Sequence, residues 1–396
     1  MLGIQKKIDI NDIIGISLFL LVFSIKLNSY AIIFTVIYII YYIKKNSVPL
    51  KYRDYSQSIF LMYFFFMLIS LMWTHDVQLG LKGLEKSFSL FLFPCLFLFF
   101  DLKVNLKKIF SYVVFGALSG FLFCLLYAYW TAYVTADIWT PFRYFNFTKS
   151  IGIHPGYLSI YLLISFIFLI EEFFKTTLKR PKYIYGFLCL MCSLSILYIG
   201  TKSVFFLLMS IYLFYIIRKA TNKRKLIKFI FIFAIVVATL AFLFYHISYG
   251  FRTRVFFLLN GRYHNLGERY FIYEGMISII KDNPLVRLIG LGVGGSQSFL
   301  MNYYAVNDLK IHLAKKLATH NIFFKAYLEQ GVLGLFFLFS LFQGLRMKYF
   351  YKDISYFLFS FVFLSFGLIE HFLDLQHGVV FFSVINVLYY KKNNGL

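Results

Sequence analysis

The sequence predicts an all-α polytopic membrane protein with about twelve transmembrane helices. Of its 396 residues, 60% are hydrophobic and only 14% are charged. A water-soluble domain of this length needs far more polar residues to cover its surface. The hydrophobic residues also form solid blocks, and a helix crosses a bilayer with about 20 such residues. Solid blocks exclude a porin-type barrel, whose strands alternate over about ten residues.

The hydrophobic blocks are separated by polar or basic connections. Residues 13–43 are interpreted as two helices and not as one long helix, because polar residues interrupt the hydrophobic run at Ser24, Lys26, Asn28 and Ser29. Two crossings also place the basic residues before and after this pair on the same side of the membrane. The predicted spans lie near residues 12–25, 30–43, 59–73, 87–100, 109–133, 155–173, 183–199, 203–217, 226–249, 320–345, 354–369 and 377–390.

The net charge of +23 follows this topology and does not indicate nucleic-acid binding. More than half of the 40 Lys and Arg residues fall in the connections on one side of the twelve spans. Basic residues are retained on the cytoplasmic side. We therefore expect both termini in the cytoplasm.

One long segment divides the chain into three parts. Residues 1–249 hold the first nine helices, 250–319 form the long outer segment, and 320–396 hold the last three helices. Within the segment, Glu268 to Lys281 has helical spacing. Lys310 to Ala318 is typical of a short basic amphipathic helix at the membrane interface.

His320 is the strongest candidate for catalysis. On a continuous helix at 100° per residue, His320, Gly331 and Gly334 lie on one face. The two glycines allow a neighbouring helix to approach closely, and Thr319 is a candidate N-cap. The positive end of a helix dipole disfavours imidazolium, so a histidine there is suited to accept a proton. The alternative is a histidine that only caps a helix above a packing face.

His320-Asn321, followed after nine residues by Gly331-x-x-Gly334, resembles the signature of the O-antigen ligase family, which includes O-antigen polymerases. The resemblance implies a GT-C-like fold in the bacterial inner membrane, with one long periplasmic loop and a periplasmic active site. It implies transfer of a glycan from undecaprenyl pyrophosphate to an acceptor, which is lipid A-core for a ligase. Membrane lipids are further partners, and neither a metal nor another cofactor is implied. Gly334 is followed by Leu335, where ligases usually have Gly, Thr or Tyr.

The resemblance also implies roles for single residues. The family histidine, here His320, is the catalytic base, and periplasmic basic residues hold the pyrophosphate. Lys202 stands in Gly-Thr-Lys-Ser, where the family often has Ser-Arg-Gly, so it keeps the charge but loses the bidentate fork. Snorkelling to the membrane interface is the alternative for Lys202, and lipid-headgroup contact for the loop arginines. The candidates for donor binding are Lys202, Arg269, Arg262, Arg252 and Arg254.

Weaker candidates surround the histidine. Asn321 and His154 are expected to line the site, although His154 also suits a helix start. Glu370, with His371 and Asp374, occupies the last outer turn and is expected to orient the acceptor, although a polar turn needs charges anyway. Lys325 and Glu329, four residues apart on the face opposite His320, are expected to pair with each other or with a neighbouring helix. Residues 290–295 lack the Gly-Lys-Ser/Thr of a P-loop and follow no clear strand, which argues against nucleotide binding there.

The sequence leaves four functions open, of which a membrane scaffold is the weakest. The first is an O-antigen ligase, and the second is a repeat-unit polymerase of the same family, which differs in its acceptor. The third, from another class, is an exporter of lipid-linked glycan or polysaccharide. No internal repeat is visible in the sequence, which argues against an exporter.

Overall fold

The computed structural model describes residues 9–50, 57–220, 264–282 and 284–395, with single positions at 222, 227, 231, 235, 239 and 242. All regular elements in these residues are helical, apart from one bridge between Leu50 and Phe100. The predicted class, an all-helical multi-pass membrane protein, is confirmed. Within this part of the chain, five helices are long and apolar enough to cross a membrane: Ile25–Lys45, Leu106–Thr135, Pro155–Lys175, Lys179–Ile199 and Ile322–Ser340.

The helices of the described residues are joined mostly by short connections. In chain order they are α1 (Ile10–Phe23), α2 (Ile25–Lys45), α3 (Ile59–Ile69), α4 (Val77–Ser87), α5 (Ser89–Leu98), α6 (Leu106–Thr135), α7 (Tyr144–Phe147), α8 (Pro155–Lys175), α9 (Lys179–Ile199), α10 (Lys202–Lys219), α11 (His264–Asp282), α12 (Gly295–Val306), α13 (Lys310–Lys315), α14 (Ile322–Ser340), α15 (Met347–Lys352), α16 (Ile354–Gly367) and α17 (Gln376–Asn394).

The total of twelve crossings and the GT-C-like arrangement remain predictions. Shorter apolar helices at Ile10–Phe23, Ile59–Trp73 and Ile354–Gly367 accompany the five long ones. The predicted ninth span, 226–249, lies largely outside the described residues. The division of the chain into three parts likewise stays a prediction.

The first two predicted spans are two helices that fold back on each other at Ser24. This residue has extended backbone (φ −162°, ψ 126°), and its hydroxyl accepts a hydrogen bond from Leu27 N at 3.3 Å. Asn28 Nδ2 donates to Ser17 O at 2.7 Å, so α2 returns along α1. The reversal comes earlier than predicted because Ser24 caps α2.

The predicted span 87–100 corresponds to α5, and a second helix, α4, which was not predicted, precedes it. Asp76 accepts a hydrogen bond from Leu79 N at 2.9 Å and begins α4 well before the hydrophobic block. Helix α4 buries Leu84 and exposes Lys82 on its other face. The ten residues of α5 span only about 15 Å, which is too short to cross a bilayer alone.

One end of the bundle gathers basic residues in ion pairs. Lys108 Nζ lies 2.7 Å from Asp12 Oδ1, and Lys107 Nζ lies 2.6 Å from Glu172 Oε2. These pairs bring the start of α6 together with the start of α1 and the end of α8. The arrangement agrees with basic connections that share one side of the membrane.

The outer segment contributes α11, α12 and α13 to the described residues. Helix α11 covers the predicted helix from Glu268 to Lys281. The predicted helix from Lys310 to Ala318 is shorter than expected. It ends at Lys315 because Lys316 adopts left-handed backbone with φ 48°.

The glycine-rich loop between α11 and α12 is hydrogen-bonded to the backbone of α14. Leu291 N donates to Leu328 O at 2.8 Å, and Gly292 N donates to Glu329 O at 2.8 Å. Both acceptors are carbonyl groups of α14, just before Gly331. The loop therefore has a structural role at this contact.

Two glycines make this contact possible. A Cβ atom on Gly290 would lie 2.2 Å from Gln330 N, and one on Gly331 would lie 2.2 Å from Leu288 O. Both glycines have positive φ, +74° and +64°. Residues with side chains rarely adopt this conformation. Each position therefore requires glycine both for its backbone angle and for the lack of space for a Cβ atom.

Helix α14 is not the continuous helix predicted over 320–345. It begins at Ile322, and Gly331 has non-helical backbone (φ 64°, ψ −158°) inside it. The predicted single face carrying His320, Gly331 and Gly334 is therefore wrong. Gly331 does allow a close approach, but of the loop and not of a helix. Gly334 contacts Gln330 of its own helix.

Candidate functional site

His320 lies in the connection before α14, where its backbone has a φ of 49°. Left-handed backbone at a residue other than glycine costs roughly 1 kcal/mol or more, so surrounding contacts must hold it. The N-cap of α14 is Asn321, and not Thr319 as predicted. Asn321 Oδ1 accepts hydrogen bonds from Phe323 N at 2.9 Å and Phe324 N at 3.0 Å.

Asn321 also joins α14 to the end of α16. Its Nδ2 donates to Leu368 O at 3.0 Å, and Leu368 is the C-cap of α16. Because the amide is buried and both of its ends are engaged, Asn321 supports the backbone next to His320 from inside the protein.

Glu370 and His371 face His320 from the turn between α16 and α17. Glu370 Oε2 lies 3.9 Å from His320 Nδ1, and the rings of His320 and His371 are 5.2 Å apart between centroids. The side chains of His320 and Glu370 are 31% and 18% exposed. The cluster is therefore partly open and accessible to a substrate.

His154 lies at the same end of the bundle as this cluster. It is the N-cap of α8, and its Nδ1 accepts a hydrogen bond from Gly156 N at 3.1 Å. Its ring packs against Tyr157, which packs in turn against Phe366 near the end of α16. His154 also interacts electrostatically with Glu370.

The charges of these groups are set by burial and by one another. Burial raises the pKa of Glu370, but His320, His154 and His371 outweigh it and hold this pKa below its usual value. Burial lowers the pKa of both His154 and His371. At neutral pH the cluster therefore presents a carboxylate to His320, flanked by two neutral imidazoles. A carboxylate in this place stabilises an imidazolium.

Arg269 lies on the helix that packs against the beginning of α14. The ring of Tyr273 in α11 is 5.5 Å from the ring of Phe324 between centroids. Arg269 is one helical turn before Tyr273 on the same face, and its side chain is half-buried. The structure therefore brings this arginine to the helix that follows His320.

The remaining cationic candidates are less well placed by the structure. Lys202 is the exposed first residue of α10, shortly after α9 ends at Ile199. Its position relative to His320 stays a prediction. Arg262, Arg252 and Arg254 lie outside the described residues.

A comparison with protein families supports the resemblance seen in the sequence. The family model for O-antigen ligase matches residues 187–339. Residues 187–339 are therefore similar to an O-antigen ligase domain, and this stretch is called the ligase domain below. This domain runs from α9 through most of α14, and so contains Lys202, Arg269 and His320. Glu370 and His154 lie outside the matched residues. No similar curated protein was found.

The ligase domain and the last outer turn together supply three side chains of the types that bind metal ions. His320, Glu370 and His371 offer ligand atoms that all lie within 4.8 Å of one another. Two imidazoles and a carboxylate are donors that bind zinc, each at about 2 Å from the ion, which keeps any two ligand atoms within about 4 Å. The cluster would have to contract to hold an ion.

The sequence did not reveal the pairing of the ligase domain with the last outer turn. Lys325 Nζ lies 3.9 Å from Glu329 Oε2, in agreement with the predicted pair, and only 2.5 Å from Asp374 Oδ1. His371, next to His320 in the structure, was expected with Glu370 and Asp374 to orient the acceptor, but its contact with His320 was not predicted. One feature of the sequence could have indicated this contact: three titratable residues, at 370, 371 and 374, lie close together between hydrophobic runs.

Proposed function

We propose that this protein is a glycosyltransferase of the O-antigen ligase type. It moves a glycan from undecaprenyl pyrophosphate to lipid A-core at the periplasmic face of the bacterial inner membrane. The observation that carries this proposal is the pairing of His320, within the ligase domain, with the Glu370 carboxylate. The basic ion pairs at the other end of the bundle support a periplasmic site, because basic ends stay in the cytoplasm.

His320 is the general base of the proposed reaction. Its Nδ1 faces Glu370, so a proton on Nδ1 directed at the carboxylate leaves Nε2 free to accept a proton from the acceptor hydroxyl. The 3.9 Å distance exceeds a hydrogen bond, and such contacts commonly tighten when the substrate binds. Glu370 then stabilises the imidazolium that forms.

The bond changes balance without a further reactant. The acceptor oxygen, as its proton passes to His320, attacks the anomeric carbon, and the bond from that carbon to the pyrophosphate oxygen breaks. The bonding electrons leave with undecaprenyl pyrophosphate, and attack from the opposite side inverts the anomeric centre. Arg269 and Lys202 offset the negative charge that develops on the leaving group.

A repeat-unit polymerase is the second candidate. It would use the same base and donor and differ only in its acceptor, the end of another glycan. Leu335 and Lys202 differ from the residues that ligases usually have at these positions, which supports the polymerase as an alternative. An exporter would need no base at all.

Lipopolysaccharide banding from a deletion strain tests the proposal. A ligase predicts bare core together with accumulated long lipid-linked chains. Core carrying a single repeat unit would assign the polymerase instead, and substrate trapped inside the cell would assign an exporter. Complementation with His320→Gln then separates loss of chemistry from loss of the protein.

A further inference from the structure

Charged side chains beneath the site connect the outer segment with the last outer turn. Ser296 Oγ, at the start of α12, donates to Glu329 Oε1 at 2.5 Å. Lys325 Nζ lies 3.9 Å from Glu329 Oε2 and 2.5 Å from Asp374 Oδ1. Glu329 is 2% exposed, and Lys325 and Asp374 are 20% and 19% exposed. These contacts link α12, α14 and the turn before α17.

Within this set, Asp374 is the main partner of Lys325. The Glu329 side chain, which comes from α14, contacts the N-terminus of α12. There the Ser296 hydroxyl and the Gly294 backbone also bind it. A helix N-terminus favours a carboxylate, so Glu329 has partners there besides Lys325. Lys325 stands in a membrane-spanning helix, where an unpaired charge is expensive. Its shorter contact to Asp374 therefore orients both side chains.

Asp374 belongs to the same tight turn as Glu370 and His371. Residues Phe372–Asp374 form one turn of 3-10 helix, and Asp374 N donates to His371 O at 3.0 Å. Glu370 N donates to Phe366 O at 2.9 Å, which ties the other side of the turn to α16. A displacement of Asp374 must therefore move the backbone that carries Glu370 and His371.

We propose that Lys325 is a positioning residue for the catalytic base. Through Asp374 it fixes the turn that holds Glu370 beside His320, and through Glu329 it ties that turn to α12. Lys325 acts on His320 through Glu370. This inference rests on the proposed function, because it assigns Lys325 to the support of the same base.

A pair that only balances buried charge makes a different prediction. Removing one member of such a pair leaves an uncompensated charge, and removing both together restores the protein. If Lys325 and Asp374 position Glu370, removing both restores insertion into the membrane but does not restore transfer.

The first experiment compares two double variants in purified protein. Lys325→Met with Asp374→Asn removes the pair at the site. Lys392→Met with Asp353→Asn removes a second Lys–Asp pair, 2.8 Å apart at the other end of the bundle, in which Lys392 is 50% and Asp353 is 6% exposed. The amount inserted is measured beside kcat/KM for transfer from an undecaprenyl-pyrophosphate-linked glycan. We expect the site variant to insert normally and to lose about 10²-fold in kcat/KM, while the control changes by less than about threefold. Full activity of the site variant overturns the proposal.

The second experiment repeats the site variant in a Glu370→Gln background. If the pair acts through Glu370, the added loss is expected to fall below about threefold, because coupled residues are not additive. If the combined variant instead loses the product of the two separate losses in kcat/KM, the positioning role is overturned. If the double variant fails to insert, Asp374→Glu is used in its place. This substitution keeps the ion pair but changes the length of the acidic side chain. Near-normal transfer by His320→Gln would reject the base itself, and an inactive His320→Gln with additive losses would reject only the inference on Lys325.

Discussion

The imidazole of His320 and the carboxylate of Glu370 approach to 3.9 Å from the N-terminal end of one helix and the C-terminal end of another. His320 stands just before α14, and Glu370 follows α16, with α15 and the inner end of the bundle between them in sequence. The ligase domain thus meets a partner from the C-terminal part of the chain, outside the residues that define the domain.

Replacing His320 tests the base. His320→Ala should insert normally and lose about 10²- to 10⁴-fold in transfer rate, the usual effect of removing a general base. His320→Gln, which keeps hydrogen bonding but takes no proton near neutrality, should be almost as inactive. Transfer assays on membranes with matched protein levels measure both. Near-normal product from His320→Gln would leave the histidine with a structural role.

The stability of the protein should decrease on acidification from pH 7 to pH 5. Burial depresses the pKa of His154 and His371 in the folded protein, so the unfolded chain binds protons more readily and stability rises with pH. Stability is complete above the ordinary histidine value of 6.5 and is lost as the pH falls through the folded values. Thermal unfolding in detergent at both pH values measures this loss. We expect a smaller loss in His371→Asn but an unchanged loss in His75→Asn, a control at an exposed histidine.

Reversing the charge of Arg269 should abolish transfer. Arg269→Glu places negative charge where the pyrophosphate must bind, so both the donor and the leaving group are repelled. Arg287→Glu, at an exposed arginine of the same outer segment, is the control and should retain activity. Lys202→Arg should be tolerated, whereas Lys202→Ala should raise KM for the donor. Wild-type kinetics of Arg269→Glu would remove this residue from the site.

Reporter fusions test the orientation. Reporters placed after Lys225 and after Lys352 should report the cytoplasm, and one near Asn307 should report the periplasm, because the basic connections stay inside. Alkaline phosphatase and a cytoplasmic reporter at each position give opposite signals. A cytoplasmic Asn307 would reverse the orientation and place the His320 cluster on the wrong side for the proposed donor.

Removal of divalent metal should leave transfer unchanged. The proposed base needs the lone pair of His320, and an ion held by His320, Glu370 and His371 would compete with the proton for it. Purified enzyme treated with EDTA is compared with untreated enzyme, and added Zn²⁺ should inhibit both. Activity lost with EDTA and regained with Zn²⁺ would contradict a metal-free reaction.

The long helices could be predicted because they depend mainly on composition. The predicted spans 155–173 and 183–199 correspond to Pro155–Lys175 and Lys179–Ile199, which differ by a few residues at their ends. A long hydrophobic run forms a helix in lipid whatever its neighbours are, because every backbone group must be satisfied within it. Amphipathic α4 was missed because Asp76 caps it outside any hydrophobic block.

The details of the site could not be predicted in the same way. His320 was identified from a motif, but its approach to Glu370 depends on how α14 and α16 pack. The interruption at Gly331 depends on a loop far away in the chain, since Leu288 occupies the space that a side chain would take. Local spacing carries no information about either contact.

The mutual fit of Gly290 and Gly331 has a consequence for exchanging parts between related enzymes. Each backbone fills the space beside the other glycine, and two hydrogen bonds join the adjacent residues. A transplanted outer segment would meet a new surface at Gly331 unless residues 328–334 were moved with it. A chimaera that changes donor or acceptor preference should therefore exchange residues 288–295 and 328–334 as one unit.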